Sequence, residues 1–394
     1  MKNSLKTSHL YPLLLGIGFS SSLALRSLDP LTVSIANDLS VAPVNVALLG
    51  TALSITYAMS NPVLGPTGDH FGKGRLITIA LWLITISVFA SAFAPTFAVL
   101  VIMRAITGLA AGGIVPIGQA MIGDMYRADQ RQIAIARSTM VVFLGQLLGA
   151  SLAGIADAHI GWRGVLIACG VITGIAAIAA TWKMPKTRPP VKAPFRPKTI
   201  LNNYLVIFRM PRAWVCYGTG FIQSGIMFGL MPFIALILEK LNLGGAREAG
   251  FIIGGFSAGS LLFALSIPIT LRLLSRPNLL VAGAIISAIG LTCVSYGVAW
   301  YWQVAIFAIT GFGYFLQHNA IQGEVADLSD DLRASAYSMH AFSFFMGSAA
   351  APVIYSFTFS WYGVRPTLIC AAIIFLIVGL TSSAVFRWLR RKGL

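Results

Sequence analysis

The chain is written as long apolar runs interrupted by short polar breaks. Windows of about 20 predominantly apolar residues, the length that spans a hydrocarbon core, lie near 11–36, 45–66, 76–94, 97–122, 134–156 and 164–183. After a polar interruption they resume near 213–237, 249–271, 279–298, 301–323, 336–358 and 365–387. The pattern predicts an all-α membrane protein with six transmembrane helices, a linker and six more. The first run follows Met1-Lys2-Asn3-Ser4-Leu5-Lys6 in the manner of a secretory leader, but it reaches Ile35 with no convincing cleavage site and reads as a span. The interruption sets Pro185, Pro189, Pro190, Pro194 and Pro197 among basic residues, the composition of an extended tether. The expected organisation is a bundle over 1–183, a cytoplasmic linker over 184–212 and a second bundle over 213–394.

Composition agrees with a bilayer as solvent. Of 394 residues, 57% are hydrophobic and only 10% charged, against about 25% charged in soluble domains. The net charge of +16 raises the question of nucleic acid, which requires a basic patch on a soluble face. The basic residues instead sort by side. With the N-terminus cytoplasmic, Lys2, Lys6, Lys73, Arg75, Arg127, Arg131, Arg137, Arg272, Arg276, Arg333 and those of the linker and C-terminus share one face, whereas the other has Arg163, Lys240, Arg247 and Arg365. This is the positive-inside asymmetry of a multi-pass inner-membrane protein with both termini cytoplasmic, and it removes the case for a nucleic-acid partner. Cys169, Cys216, Cys293 and Cys370 sit in or beside apolar runs without metal-ligand spacing and read as small packing residues. No cofactor, metal or catalytic group is expected.

The halves repeat. At one shift of 202 residues, Phe19 falls on Phe221, Ser22 on Ser224, Pro30 on Pro232, Gly145 on Gly347 and Gly161 on Gly363. A parallel repeat about an axis along the membrane normal is a transporter architecture with its substrate site between the halves.

Between the second and third runs stands Gly65-Pro66-Thr67-Gly68-Asp69-His70-Phe71-Gly72-Lys73-Gly74-Arg75. This resembles the signature loop of the major facilitator superfamily, Gly-x3-Asp-(Arg/Lys)-x-Gly-(Arg/Lys)-x-(Arg/Lys), and the six-plus-six layout extends the likeness over the whole chain. The resemblance implies the major facilitator fold and a gate in which Gly65, Asp69, Gly72, Lys73 and Arg75 work with Asp124 and Arg131 to hold the cytoplasmic side closed. His70 departs from the usual Arg or Lys. In the second half the matching stretch, Leu271 to Pro277, lacks the Gly and Asp, so a one-sided latch is expected. Arg104-Ala105-Ile106-Thr107-Gly108 looks like the arginine motif of proton-coupled members. Gly145, Gly149 and Gly154 resemble the glycine motif of drug:proton antiporters, with Ala150 where the proline usually stands; glycines at this spacing also serve plain helix packing.

Among acidic residues Asp29 lies deep in a span, and Arg26 and Arg104 are the deep basic ones. A charge at mid-bilayer costs roughly 2.5–3.5 kcal/mol on the lenient insertion scales, so such groups face a cavity or a partner. Counting residues from the outer surface puts Asp29 roughly 13 Å deep and Arg104 roughly 10 Å deep, a spacing that suits an Asp29–Arg104 pair. Arg26 competes for the same carboxylate from one turn away. Burial and a neighbouring guanidinium act in opposite senses on the Asp29 proton, which makes the Asp29, Arg26 and Arg104 set a candidate for proton coupling. A permanent salt bridge holding the first and fourth helices together is the structural alternative. Arg26, Asp29 and Arg104 are candidate substrate contacts as well, joined across the cavity by Gln223, Tyr314, Gln317 and His318; of Tyr314, Gln317, His318 and Asn319, no more than one or two face the lumen at once. Phe221, Phe228, Phe312 and Phe315 supply aromatic surface.

The expected function is a monomeric secondary transporter that exports a small amphipathic compound against protons. An organic-anion importer or exchanger is the alternative, since two deep arginines face one aspartate; a non-transporting receptor or scaffold is the alternative of another class. Gly68 to Lys73 fails the Walker A spacing, and neither HExxH nor GxSxG occurs, so an enzyme is not expected.

Overall fold

The structure is a computed structural model that describes residues 4–126, 128–185, 197–329 and 332–392. Among these residues every element is helical. Ten segments are long and apolar enough to cross a bilayer. One of them, Arg137–Lys183, has 47 residues, about 70 Å of helix and twice what a bilayer needs. It folds back at Gly161, whose φ of 65° belongs to the left-handed region where glycine carries no Cβ penalty. That segment therefore makes spans 5 and 6, on either side of Gly161 within Ala128–Lys183.

Span 1 runs over Ser4–Arg26, Asp29–Leu31 and Thr32–Asp38; span 2 is Leu48–Phe71, span 3 Lys73–Ala92, and span 4 joins Phe97–Ala111 to Ile114–Met125. In the second half span 7 comprises Pro211–Leu230, Met231–Phe233 and Ile234–Lys240. Span 8 is Ala246–Leu273, span 9 Arg276–Ser295, span 10 Trp300–Ala326, span 11 Arg333–Trp361 and span 12 Val364–Arg391. Part of the linker is itself a helix, Pro197–Phe208, where an extended tether was expected; Tyr204 ties it to span 2 by donating to the Pro62 carbonyl at 3.1 Å. Residues 186–196 of the linker lie outside the described residues.

The 202-residue repeat holds in the backbone. Spans 1 and 7 break into a single 3-10 turn at equivalent places, Asp29–Leu31 and Met231–Phe233, each with its proline at the second position, where the missing N–H removes an internal helix bond. Ser40 and Asn242 both adopt positive φ, 51° and 53°, and Gly161 and Gly363 do so at 65° and 80°. These are two pseudo-symmetric six-helix bundles.

Small residues set the packing, as they must where lipid supplies no hydrophobic drive between helices. A Cβ on Gly145 would lie 2.5 Å from the Phe19 carbonyl oxygen, and one on Gly149 2.2 Å from that of Leu23, so span 5 touches span 1 backbone to backbone. In the second bundle Gly347 of span 11 approaches the Phe221 carbonyl of span 7 in the same way. Gly154 instead meets Ala246 and Gly250 of span 8, and Ser151 donates to the Gly250 carbonyl at 2.8 Å. Spans 5 and 8, and spans 2 and 11, form the contact between bundles.

Candidate functional site

The break in span 1 creates the site's first pole. Where a helix stops, its last carbonyls lose their partners. Arg104 of span 4, 1% exposed, donates to the Ala24 carbonyl at 3.2 Å and to that of Leu25 at 2.5 Å. It thus caps the segment Ser4–Arg26 with a positive charge at the negative end of the helix dipole. Arg104 is therefore bonded to span 1 backbone, and the ion pair of Asp29 among the described residues is with Arg26, at 3.5 Å. The expected Asp29–Arg104 pair is corrected: free carbonyls at the break bind the guanidinium.

Arg26 reaches into the other bundle. Its Nη2 donates to the Ser348 hydroxyl of span 11 at 2.8 Å, and its guanidinium carbon lies 4.9 Å from the ring centre of Phe228 on span 7, a cation–π distance. Phe228 is the 202-shift counterpart of Arg26, so the repeat brings these two positions face to face. Nearby, the Thr32 hydroxyl donates to the Pro232 carbonyl at 2.6 Å, joining the two 3-10 breaks.

The second pole lies in the C-terminal bundle. The amides of Gln223 (span 7) and Gln322 (span 10) bracket the His318 ring, at 2.9 Å from Nδ1 and 3.1 Å from Nε2. A neutral imidazole donates from one nitrogen and accepts at the other; an amide offers either role after a half-turn. The bracket therefore suits the neutral ring and the imidazolium alike. Tyr314 stacks on His318 at 5.6 Å between ring centres, and Phe143 of span 5 meets it edge-on at 5.4 Å. Phe228 packs edge-on to Tyr314 at 5.7 Å. A continuous series of contacts, Asp29–Arg26–Phe228–Tyr314–His318, thus joins the poles, every member at most 5% exposed.

His340 of span 11, which the sequence did not single out, extends the series. Its ring centre is 5.8 Å from that of His318, and it lies against Gly220, where an added Cβ would come within 2.8 Å of its Cε1. Gln317 leaves the site. It abuts Gly283 of span 9, and its Nε2 lies where a Cβ on Gly379 of span 12 would meet it at 2.9 Å. One residue is about 100° of helix rotation, enough to turn Gln317 away from the face that carries His318. Phe221 is 38% exposed and faces outward, while Phe315 contributes to the centre against Phe143 at 5.4 Å.

At the face where the basic residues gather, Gly72 turns with φ 89° and Lys73 pairs with Asp124 at 2.7 Å. Arg75 is exposed. Gly65, Asp69 and Arg131 lie outside the residues whose side-chain surroundings are described. Gly74 is a further packing glycine, since a Cβ there would lie 2.8 Å from the Pro185 carbonyl oxygen. The second half keeps the ion pair but not the glycine turn: Arg276 binds Asp327, with the same separation of 51 residues as Lys73 and Asp124. The expectation of a one-sided latch is thus corrected for the ion pair. A buried acid also appears here. Glu324, 0% exposed, is bound by Arg212 at 2.6 Å, by Arg276 at 3.8 Å and by Arg390. Three basic residues at the ends of spans 7, 9 and 12 were the signal for it.

Comparison with known proteins places this architecture. The chain is 22% identical over 377 residues to the inner membrane transport protein YnfM of Escherichia coli, covering 93% of this chain and 88% of that one. It is 26% identical to the multidrug export protein EmrB of Haemophilus influenzae over 151 residues, 38% of this chain and 29% of the other. A bacterial homolog of the human lysosomal transporter Spinster, solved inward-facing and unoccupied, superposes with a TM-score of 0.73 at 16% identity over 96% of both chains. Residues 14–329 match the model of the Major Facilitator Superfamily, and with its two six-helix bundles the chain belongs to that family, as a multi-pass membrane transporter and not an enzyme.

Proposed function

We propose that this carrier exports a small amphipathic compound in exchange for protons by alternating access, with the basic face and both termini cytoplasmic. The observation that carries the reading is the position of Asp29. Its carboxylate is buried at the break of span 1 and paired with the one guanidinium, Arg26, that also bonds Ser348 of the other bundle. Neutralising Asp29 removes the counter-charge of that bridging group, so a proton arriving there changes the balance of the contact that must break when the bundles rock. Arg104, bonded to the span 1 carbonyls, holds the break.

The organic-anion alternative loses support, because the charge of Arg104 faces a helix end and that of Arg26 faces Asp29, so both deep guanidinium groups are already engaged. EmrB is named for multidrug export, and the fatty acid resistance protein FarB of Neisseria gonorrhoeae is 29% identical over 154 residues; both favour efflux.

Reconstitution in proteoliposomes with a pH gradient of either sign tests this. Wild type accumulates amphipathic dyes only when protons flow the other way. Asp29→Asn loses gradient-driven accumulation and keeps dye exchange at equal concentrations. Gradient-driven accumulation that survives in Asp29→Asn removes the coupling role.

A further inference from the structure

The C-terminal pole holds more hydrogen-bonding capacity than it uses. Both ring nitrogens of His340, the hydroxyl of Tyr314 and the Oε1 of Gln223 are buried with no partner among the described residues, on residues 4%, 0% and 1% exposed. Buried polar groups are almost always satisfied, and each orphan calls for an explanation. Single orphans occur elsewhere, on Ser22, Ser54, Gln146 and Gln317 among others, but these four gather in one place. Gln223 bonds His318, Tyr314 stacks on it and His340 lies beside it, so all four atoms belong to side chains around one ring.

The walls are aromatic. Phe344 packs on His318 at 5.4 Å, Phe143 reaches it from the N-terminal bundle at 5.4 Å, and Phe315 lies at 6.2 Å. Among the described residues the buried carboxylate nearest this region, Asp29, is on the far side of Phe228 and engaged by Arg26. Glu324 is two residues beyond Gln322 and carries its own arginines. A cationic ligand would find no free carboxylate among these groups, and an anionic one no free guanidinium. A tyrosine hydroxyl, an amide oxygen and a neutral imidazole together give and accept hydrogen bonds.

From this arrangement we infer that His340, Tyr314 and Gln223 form the subsite for the polar head of the transported compound, and that this head is an uncharged aromatic group bearing both a donor and an acceptor, of the phenol or aryl-amide kind. The inference deepens the export reading, on which it rests for the amphipathic class of substrate. His318 is the positioning residue, holding Gln223 with one nitrogen and stacking Tyr314. Phe143 places an N-terminal-bundle ring at the same spot, so an occupant there touches both bundles.

Equilibrium binding to the purified full chain in detergent tests the inference without any gradient. The probes are 2-naphthol, naphthalene and 2-naphthoate, which share one ring system and differ in the head. Wild type binds 2-naphthol about tenfold tighter than naphthalene, the worth of one well-made hydrogen bond, and tighter than 2-naphthoate. His340→Leu and Tyr314→Phe each bring the naphthol-to-naphthalene ratio toward one, while His340→Gln, which keeps a donor and an acceptor, stays within threefold of wild type. Should His340→Leu fail to fold, Tyr314→Phe and His340→Gln still decide the matter, the first losing the ratio and the second keeping it. Three results overturn the inference: no binding of 2-naphthol, preference for 2-naphthoate, or an unchanged ratio in both Tyr314→Phe and the folded His340→Leu. This binding needs no gradient and coupling is read from gradient-driven accumulation, so failure of proton coupling and failure of this subsite are read in different experiments.

Discussion

The two bundles share a backbone and differ in chemistry. Spans 1 and 7 break at equivalent turns, yet the positions that hold Arg26 and Asp29 in the first hold Phe228 and Met231 in the second. Arg104, which caps the first break, has Ile306 as its counterpart. The C-terminal bundle puts its buried polar groups elsewhere, on His318, His340 and Gln223, and its buried acid, Glu324, among arginines at the basic face. Symmetry of the backbone supplies two interchangeable arrangements of the bundles, which alternating access needs. On the reading proposed above, asymmetry of the side chains lets one bundle carry the charge and the other meet the solute. On that same reading, proton and substrate thus occupy neighbouring poles linked through Phe228 and Tyr314.

Substitutions at paired positions break or sharpen this contrast. The largest effect is expected at Arg104→Leu. It orphans the Leu25 carbonyl, at about 1–3 kcal/mol, and takes a charge-assisted bond, about 1.5–3 kcal/mol, from the Ala24 carbonyl, which keeps the Ser27 hydroxyl; stability falls by about 2–6 kcal/mol in thermal unfolding of the detergent-solubilised protein. Ile306→Leu at the counterpart costs under about 1.5 kcal/mol. Equal losses at the two sites would dissolve the asymmetry. Next comes Glu324→Gln, which leaves three arginines without their shared carboxylate. The cost is about 2–3 kcal/mol, short of the roughly 3–5 for breaking a fully buried pair, because Arg276 and Arg390 are 38% and 43% exposed and can turn to water.

Gly347→Ala follows, at about 1–3 kcal/mol for overpacking, because its Cβ would lie 2.0 Å from the Phe221 carbonyl oxygen. Gly145→Ala should cost somewhat less at 2.5 Å, and Gly16→Ala, with nothing within 4 Å of its Cβ, serves as the silent control. The smallest effect is that of Asp124→Asn. Its carboxylate is 69% exposed, so breaking the pair with Lys73 changes stability by about 0–1 kcal/mol. A shift in transport rate without a shift in unfolding temperature would mark the pair as a gate.

Much of the site was legible where a residue violated its surroundings. Asp29 and Arg26 announce themselves as charges within an apolar run, and the 202-residue shift aligned Pro30 with Pro232, where the structure breaks both spans. Helix direction was harder. Gln317 and His318 are adjacent and equally polar in sequence, yet one faces spans 9 and 12 and the other the centre. Spans apolar on every side carry almost no amphipathic signal to tell such faces apart. His340 sits near the start of its span and gave no warning, because its importance arises from Gly220 and His318 beside it. Glu324 stands near a helix end, and only the fold closes arginines from three other spans over it.

The sequence by itself determined the number of spans, the repeat, the family and which spans carry charge within their apolar runs, because transfer into lipid depends on how many apolar residues lie in a row and on where the exceptions fall. Only the tertiary structure decided which charge meets which partner. Depth along a helix states a height and leaves the azimuth open, so the Asp29–Arg104 pair expected from depth gave way to Asp29–Arg26, while Arg104 went to the carbonyls freed by the turn at Asp29. Those carbonyls exist as acceptors only once span 1 has broken.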